Sequence, residues 1–72
     1  MRFKHLIDKN DPATITETHI DPDRIERIDV TPEMQQVAIQ FQGRASGVIF
    51  MVPANEMDAT LKAVEDWHSR CG

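Results

Sequence analysis

Residues 35–52 constrain the fold more than any other part of the chain. From residue 35 to residue 42 apolar and polar side chains alternate, with Val37 and Ile39 on the apolar side. This period of two predicts an antiparallel strand with one face in water. A glycine-containing loop, 43–47, leads into residues 48–52, which are all apolar. We expect this second strand to be central in its sheet and covered on both faces.

Two short strands are predicted near the N-terminus. Residues 2–7 place Phe3, His5 and Ile7 on one face, and residues 15–20 are rich in Thr and Ile. A turn rich in Asp, Asn and Pro separates the two strands. Together with the pair described above, they predict an antiparallel sheet.

The segment 24–30 fits two structures. Ile25 and Ile28 are three residues apart, as in a helical turn, whereas Ile28 and Val30 are two apart, as in a strand. Asp21 is followed by a proline, which is typical of the cap and first position of a helical turn. We interpret the segment as one short turn that leads into a third strand, and a Thr-Pro-Glu turn follows it.

The last part of the chain predicts a helix. Asn55 is a good N-cap, and acidic residues follow it in the first turn. Negative charge is favourable there because the N-terminus is the positive end of the helix dipole. A buried stripe, widened by Trp67, is expected at helical spacing: Met57, Leu61, Val64, His68 and Cys71. The prediction is therefore an α+β fold, a small antiparallel sheet of four to five strands packed by one C-terminal helix, in a single domain of residues 1–72.

The single cysteine, Cys71, excludes a disulfide within the chain. A cysteine-poor chain is typical of a reducing cytoplasm, and no apolar run is long enough for a signal peptide or a membrane span. We therefore expect a complete, soluble, cytoplasmic protein. A 72-residue domain buries a small core. The apolar residues 48–52 then predict a homodimer that forms through the sheet.

The negative charge is concentrated in one segment. The net charge is −4, and residues 17–33 hold six acids and two bases, so this segment carries the whole excess. Such a balance disfavours direct nucleic-acid binding. The acids either maintain solubility and protect a strand edge, or they bind a basic protein partner. For the second case the predicted contact residues are Asp21, Asp23, Glu26, Asp29 and Glu33.

No catalytic, metal or cofactor site is predicted. The only soft metal ligands are three histidines and Cys71, without the closely spaced pair that zinc sites use. His68 and Cys71 share a helix face but supply only two ligands. A chain this short also leaves little room for a substrate cleft of ~300 Å³ or more. We therefore expect a protein that is not an enzyme.

The order of motifs resembles the FlbD/SwrD-type family of small flagellar accessory proteins. The similar positions span roughly residues 15–70: Asp21, Pro22, Asp23, Ile25, Glu26, Ile28, Thr31, Pro32, Glu33, Ile39, Gly43 and the helix 55–70. The resemblance implies a non-enzymatic role near the bacterial flagellar motor.

Three functions follow as hypotheses. The first is a non-catalytic acidic protein that binds a basic protein surface, such as a phage- or bacterium-encoded inhibitor of a nucleic-acid-handling defence complex that acts by charge mimicry. The second is the flagellar accessory role. The third is an oligomeric sponge for small nucleotides, with the pocket at the oligomer interface.

Overall fold

The computed structural model describes residues 1–71, and these form one antiparallel sheet packed by one long helix. The strand order is β2-β1-β5-β4-β3, so β5 is the central strand and β2 and β3 are the edges. The elements are β1 (Arg2–Leu6), β2 (Ile15–His19), β3 (Ile25–Thr31), β4 (Gln36–Phe41), β5 (Val48–Met51) and α1 (Met57–Cys71). The predicted α+β class is confirmed.

Three short 3₁₀ turns that begin at proline connect the strands β1 to β4 in succession. Their bounds are Pro12–Thr14, Pro22–Arg24 and Pro32–Met34. Asp21 caps the second turn, because its side chain accepts the backbone N–H of Asp23 at 3.0 Å. The ambiguous segment is therefore a turn followed by a strand, as we interpreted it.

The helix covers one face of the sheet, and the core lies between them. In β4, Val37 and Ile39 point into this core, in agreement with the alternation of the sequence. The buried apolar residues are Phe3, Ile25, Ile28, Val37, Ile39, Val52, Met57, Val64 and Trp67. The opposite face of the sheet has no helix over it within the described residues.

The helix differs from its prediction in its start and in its buried face. Asn55 lies inside a 3₁₀ turn, Ala54–Glu56, that continues into α1, so it is not the N-cap. The buried stripe contains Thr60 and Trp67, whereas Leu61 is 37% exposed and His68 is exposed. The buried face of the helix is therefore rotated about the helix axis relative to the predicted one. The side chain of Cys71 lies outside the described residues.

Two predictions for the strands were wrong. Ile7 follows the end of β1 and is 75% exposed, so it does not share the buried face of Phe3. The strand β5 is central, as expected, but Ile49 is 62% exposed. With a single long helix on one face, the chain leaves the other face of β5 open.

The sheet has to curl, because a short connection joins its two edges. Only residues 20–24 separate β2 from β3, although these strands lie at opposite edges of the sheet. Four inter-strand spacings of ~4.8 Å make about 19 Å, close to the full extension of such a segment. The 3₁₀ turn Pro22–Arg24 shortens the segment further. The curling brings Ile20 against the core.

Candidate functional site

The five predicted contact acids lie along one edge of the sheet, and we call them the acidic edge. All five are exposed. Two belong to the segment before β3, two to β3 itself and one to the turn after it: Asp21, Asp23, Glu26, Asp29 and Glu33. The structure thus places two of them on an edge strand and the other three in the turns at its two ends.

Three of these acids also have local structural roles within the chain. Asp21 caps the turn before β3 through its side chain. Asp29 forms an ion pair with a base on the same strand, because its Oδ2 is 2.9 Å from Nε of Arg27. Glu26 falls where the register between β3 and β4 shifts, so it sits at an irregularity of the edge. Irregular and charged edges resist pairing with identical edges.

An apolar patch occupies the centre of the sheet face opposite the helix, and we call it the open face. The register pairs Leu6 with both Ile15 and Met51, and Ala38 with Ile49. Residues that are paired in this way share a face. Ile49 is 62% and Ile15 42% exposed, so the patch is in contact with solvent. An exposed apolar patch within a polar rim is typical of an interaction surface.

Exposed ion pairs flank the open face on both sides. The Nε of Arg2 is 3.6 Å from Oε1 of Glu17 on the β2 side, and Arg27 pairs with Asp29 on the β3 side. Such exposed pairs contribute about 0–1 kcal/mol to stability. Their effect is to give the rim of the open face both signs of charge.

A cleft of about 900 Å³ lies between the two edges of the curled sheet, and we call it the basic cleft. Its lining comes from the end of β2, the turn before β3, the end of β4 and the loop to β5: His19, Ile20, Asp21, Arg24, Phe41, Gln42, Arg44, Ser46, Gly47 and Val48. The expectation that the chain leaves little room for such a cleft is wrong. Curling of the sheet creates the space.

Arg24 and Arg44 are not among the residues predicted from the sequence. They are twenty residues apart, and an acidic stretch surrounds Arg24, so charge counting hid both. One available signal was Arg44 itself, an isolated base in the glycine-containing loop of an otherwise acidic chain. The pairing of β3 with β4 places Ile25 opposite Phe41, and the backbone N–H of Gln42 donates to the carbonyl of Arg24 at 2.8 Å, so the two segments meet.

The histidines occupy separate places in the fold. His5 bonds to the hydroxyl of Thr18 on the neighbouring strand, His19 lines the basic cleft, and His68 is exposed beside the ring of Trp67. The described residues hold no group of three or more His, Cys, Asp or Glu side chains that could bind a metal ion. In the same residues, no helix has the length and apolar character needed to cross a membrane.

Comparisons of the chain with protein-family models, with curated proteins and with solved structures gave no match. The resemblance to the FlbD/SwrD-type family therefore stays a prediction from the sequence pattern. The acidic edge, the open face and the basic cleft are the three surfaces from which a function can be inferred.

Proposed function

We propose that the protein is a non-catalytic interaction protein that binds a basic protein surface through its acidic edge. The observation that carries this proposal is the arrangement of the five acids, all exposed, from one end of an edge strand to the other. A strand of seven residues spans about 20 Å, and the acids extend beyond both of its ends. The result is an elongated strip with five carboxylates and, with Arg24 and Arg27 between them, a net charge of −3.

A strip of this kind matches a partner that normally holds nucleic acid. Nucleic acid presents a line of phosphates, and the proteins that bind it use grooves of Lys and Arg. The acidic edge offers carboxylates to such a groove. Opposite charges speed the encounter and select against acidic partners. The protein then acts as an inhibitor that competes with nucleic acid for the groove.

A second part of the proposal is that two copies associate through the open face. The exposure of Ile49 and Ile15 supports this, since burial of apolar area is the main driving force of association. A standard interface buries about 800 Å² on each partner, roughly a sixth of the 5016 Å² of this chain. A dimer of this kind leaves the acids of the turns before and after β3 free for the basic partner, whereas Asp29 lies at the rim of the interface.

The proposed setting is the cytoplasm of a bacterium, with the protein encoded by the bacterium or by a phage. The single cysteine is consistent with a reducing compartment. In that setting the basic partner is a component of a nucleic-acid-handling defence complex.

The test compares partner capture by the wild type and by a charge-reversed variant. The variant is Asp23→Lys, Glu26→Lys and Glu33→Lys, which keeps the turn cap and the Arg27–Asp29 pair. Tagged proteins are incubated with bacterial lysate at low and high salt, and captured proteins are identified by mass spectrometry. The expected result is a basic, nucleic-acid-binding protein that the wild type captures and that high salt releases.

A matched control reverses three acids on the exposed side of the helix. Asp58→Lys, Glu65→Lys and Asp66→Lys changes the net charge by the same amount but leaves the acidic edge intact. This control is expected to capture the same basic protein as the wild type. Equal capture by the edge variant, or equal loss in both variants, contradicts a specific role of the acidic edge. Added duplex DNA is expected to displace the captured partner.

Two single variants refine the contact surface. Asp21→Asn removes the charge but keeps an oxygen that can accept the backbone N–H of Asp23, so the turn is retained. Asp29→Asn frees Arg27 from its acid partner. Each is expected to weaken partner binding several-fold, with an unchanged circular dichroism spectrum.

A further inference from the structure

We propose that the basic cleft binds a phosphate-bearing small molecule of nucleotide size. The cleft adjoins the acidic edge, since Asp21 belongs to both, but the proposal does not depend on partner docking at that edge. Four observations carry it: two arginines without acid partners, a backbone frame that holds them, an apolar wall beside them, and a volume of about 900 Å³. Ligand sites in proteins are ~300–1,000 Å³.

The two arginines of the cleft are free to bind an anion. Arg2 and Arg27 each lie within ion-pair distance of an acid, whereas Arg24 and Arg44 have no such partner within residues 1–70. Asp21 also lines the cleft, so the two arginines less one aspartate leave a charge of +1 in a chain of −4. Guanidinium groups present donors in a fork that fits phosphate oxygens.

Backbone hydrogen bonds hold the two arginines in one frame. The carbonyl of Arg24 accepts the N–H of Gln42 at 2.8 Å, and the N–H of Arg44 bonds to the carbonyl of Phe41 at 3.2 Å. The side-chain amide of Gln40 donates to the carbonyl of Arg44 at 3.4 Å. The positions of both Cα atoms are therefore set before any ligand arrives, which lowers the entropic cost of binding.

The loop that carries Arg44 is also held by a close backbone approach. A Cβ atom at Gly47 would lie 2.8 Å from the carbonyl oxygen of Ile39, so only glycine fits without a shift. This contact presses the end of the loop against β4. The loop thus forms one wall of the cleft, and Ser46 is part of that wall.

The apolar lining predicts that the ligand carries more than a phosphate. Ile20, Phe41 and Val48 contribute to the same cleft, and each has part of its surface exposed. An aromatic ring supports a nucleobase by stacking, which contributes ~1–3 kcal/mol per base in known complexes. Phosphate at the arginines and a base on this wall together correspond to a mononucleotide.

The surroundings favour a small ligand over a nucleic-acid strand. Asp21 and Asp23 are beside Arg24, and Glu26 follows on β3, so a polyanion that enters the cleft must pass several exposed carboxylates. Like charges at that distance oppose binding and reduce it most at low salt. A single phosphate group meets the arginines and avoids the remaining acidic edge.

The experiment measures binding of AMP, adenosine and inorganic pyrophosphate to the full chain at low salt. Isothermal titration calorimetry gives the affinity, and thermal unfolding gives the stabilisation that a bound ligand produces. AMP is expected to bind saturably and to raise the melting temperature. Adenosine and pyrophosphate are each expected to bind at least about tenfold more weakly, since each lacks one half of the ligand.

Paired arginine variants test whether the cleft is the site. Arg24→Gln with Arg44→Gln is expected to weaken AMP binding at least about tenfold, because two charge-assisted contacts are lost. The matched control, Arg2→Gln with Arg27→Gln, removes the same charge from the rim of the open face and is expected to leave AMP binding within about twofold. Ser46→Asp, which adds a negative charge to the cleft, is expected to weaken AMP binding as well.

Four results overturn the proposal. The first is no saturable AMP binding at millimolar concentration, and the second is adenosine binding as tightly as AMP. The third is pyrophosphate binding as tightly as AMP, which removes the role of the apolar wall. The fourth is equal AMP binding by the wild type and the Arg24→Gln/Arg44→Gln variant, with both folded by circular dichroism.

Discussion

The indole Nε1 of Trp67 donates a hydrogen bond to the carbonyl oxygen of Pro22, 3.1 Å away and 45 residues distant in the chain. This bond ties the last turns of α1 to the 3₁₀ turn that precedes β3. The same turn contains Asp23 of the acidic edge and Arg24 of the basic cleft. The helix therefore holds in place the turn that contributes to both proposed binding surfaces.

Replacement of Trp67 by Phe tests this link. The variant keeps an aromatic ring in the core but removes the donor and leaves a gap, so the free energy of unfolding is expected to fall by about 1–3 kcal/mol. Urea denaturation followed by circular dichroism measures the change. His68→Ala, next to it and exposed, is the control and is expected to change stability by less than about 0.5 kcal/mol. An equal effect of the two variants would contradict a supporting role for the indole.

Replacement of Gly47 by Ala tests the close approach of the β4–β5 loop to β4. The added methyl would lie 2.8 Å from the carbonyl oxygen of Ile39, so the loop has to move. We expect a loss of about 1–3 kcal/mol in the free energy of unfolding. Ser46→Ala is the neighbouring control and should have little effect. Wild-type stability for Gly47→Ala would show that the contact is not tight.

Gln35 offers a stabilising change. Its φ of 56° lies in the left-handed region, which side chains with a Cβ adopt at a cost of about 1 kcal/mol. Gln35→Gly is expected to raise the free energy of unfolding by up to about 1 kcal/mol, whereas Gln36→Gly, inside β4, should lower it by about 0.5–1 kcal/mol. Thermal unfolding of both variants checks the opposite signs. A loss of stability in both would rule out strain at Gln35.

Local patterns predicted the strands and turns well, because each depends on neighbouring residues. The alternation around Val37 and Ile39 indicated a strand with one buried face, and Asp21 indicated the turn before β3. The buried face of α1 was less predictable. Thr60 counts as polar in a pattern, but its hydroxyl donates to the carbonyl of Glu56 at 2.9 Å, so it is buried with its hydrogen bond satisfied.

The three surfaces differed in how far they could be predicted from the sequence without the tertiary structure. The five acids are close in sequence, so composition alone located the acidic edge. The turn of Arg24 and the loop of Arg44 are neighbours because the consecutive strands β3 and β4 pair antiparallel, with Ile25 opposite Phe41. The basic cleft forms where curling of the sheet adds the end of β2 to these two segments, and no local pattern predicts that curling. The apolar run that includes Ile49 predicted a central strand, but only the single long helix shows that one of its faces stays open.

The open face leads to the prediction that Ile49 controls self-association. Ile49→Lys places a charge at the centre of the patch, where Ile49 is 62% exposed in the single chain, so the fold is retained while an interface between two copies is disrupted. Sedimentation velocity over a range of concentrations is expected to show a dimer for the wild type and a monomer for Ile49→Lys. The matched control is Leu61→Lys, which changes an exposed apolar residue on the helix and should leave the dimer intact. A wild type that stays monomeric at every concentration, or a dimer that persists in Ile49→Lys, would contradict self-association through the open face.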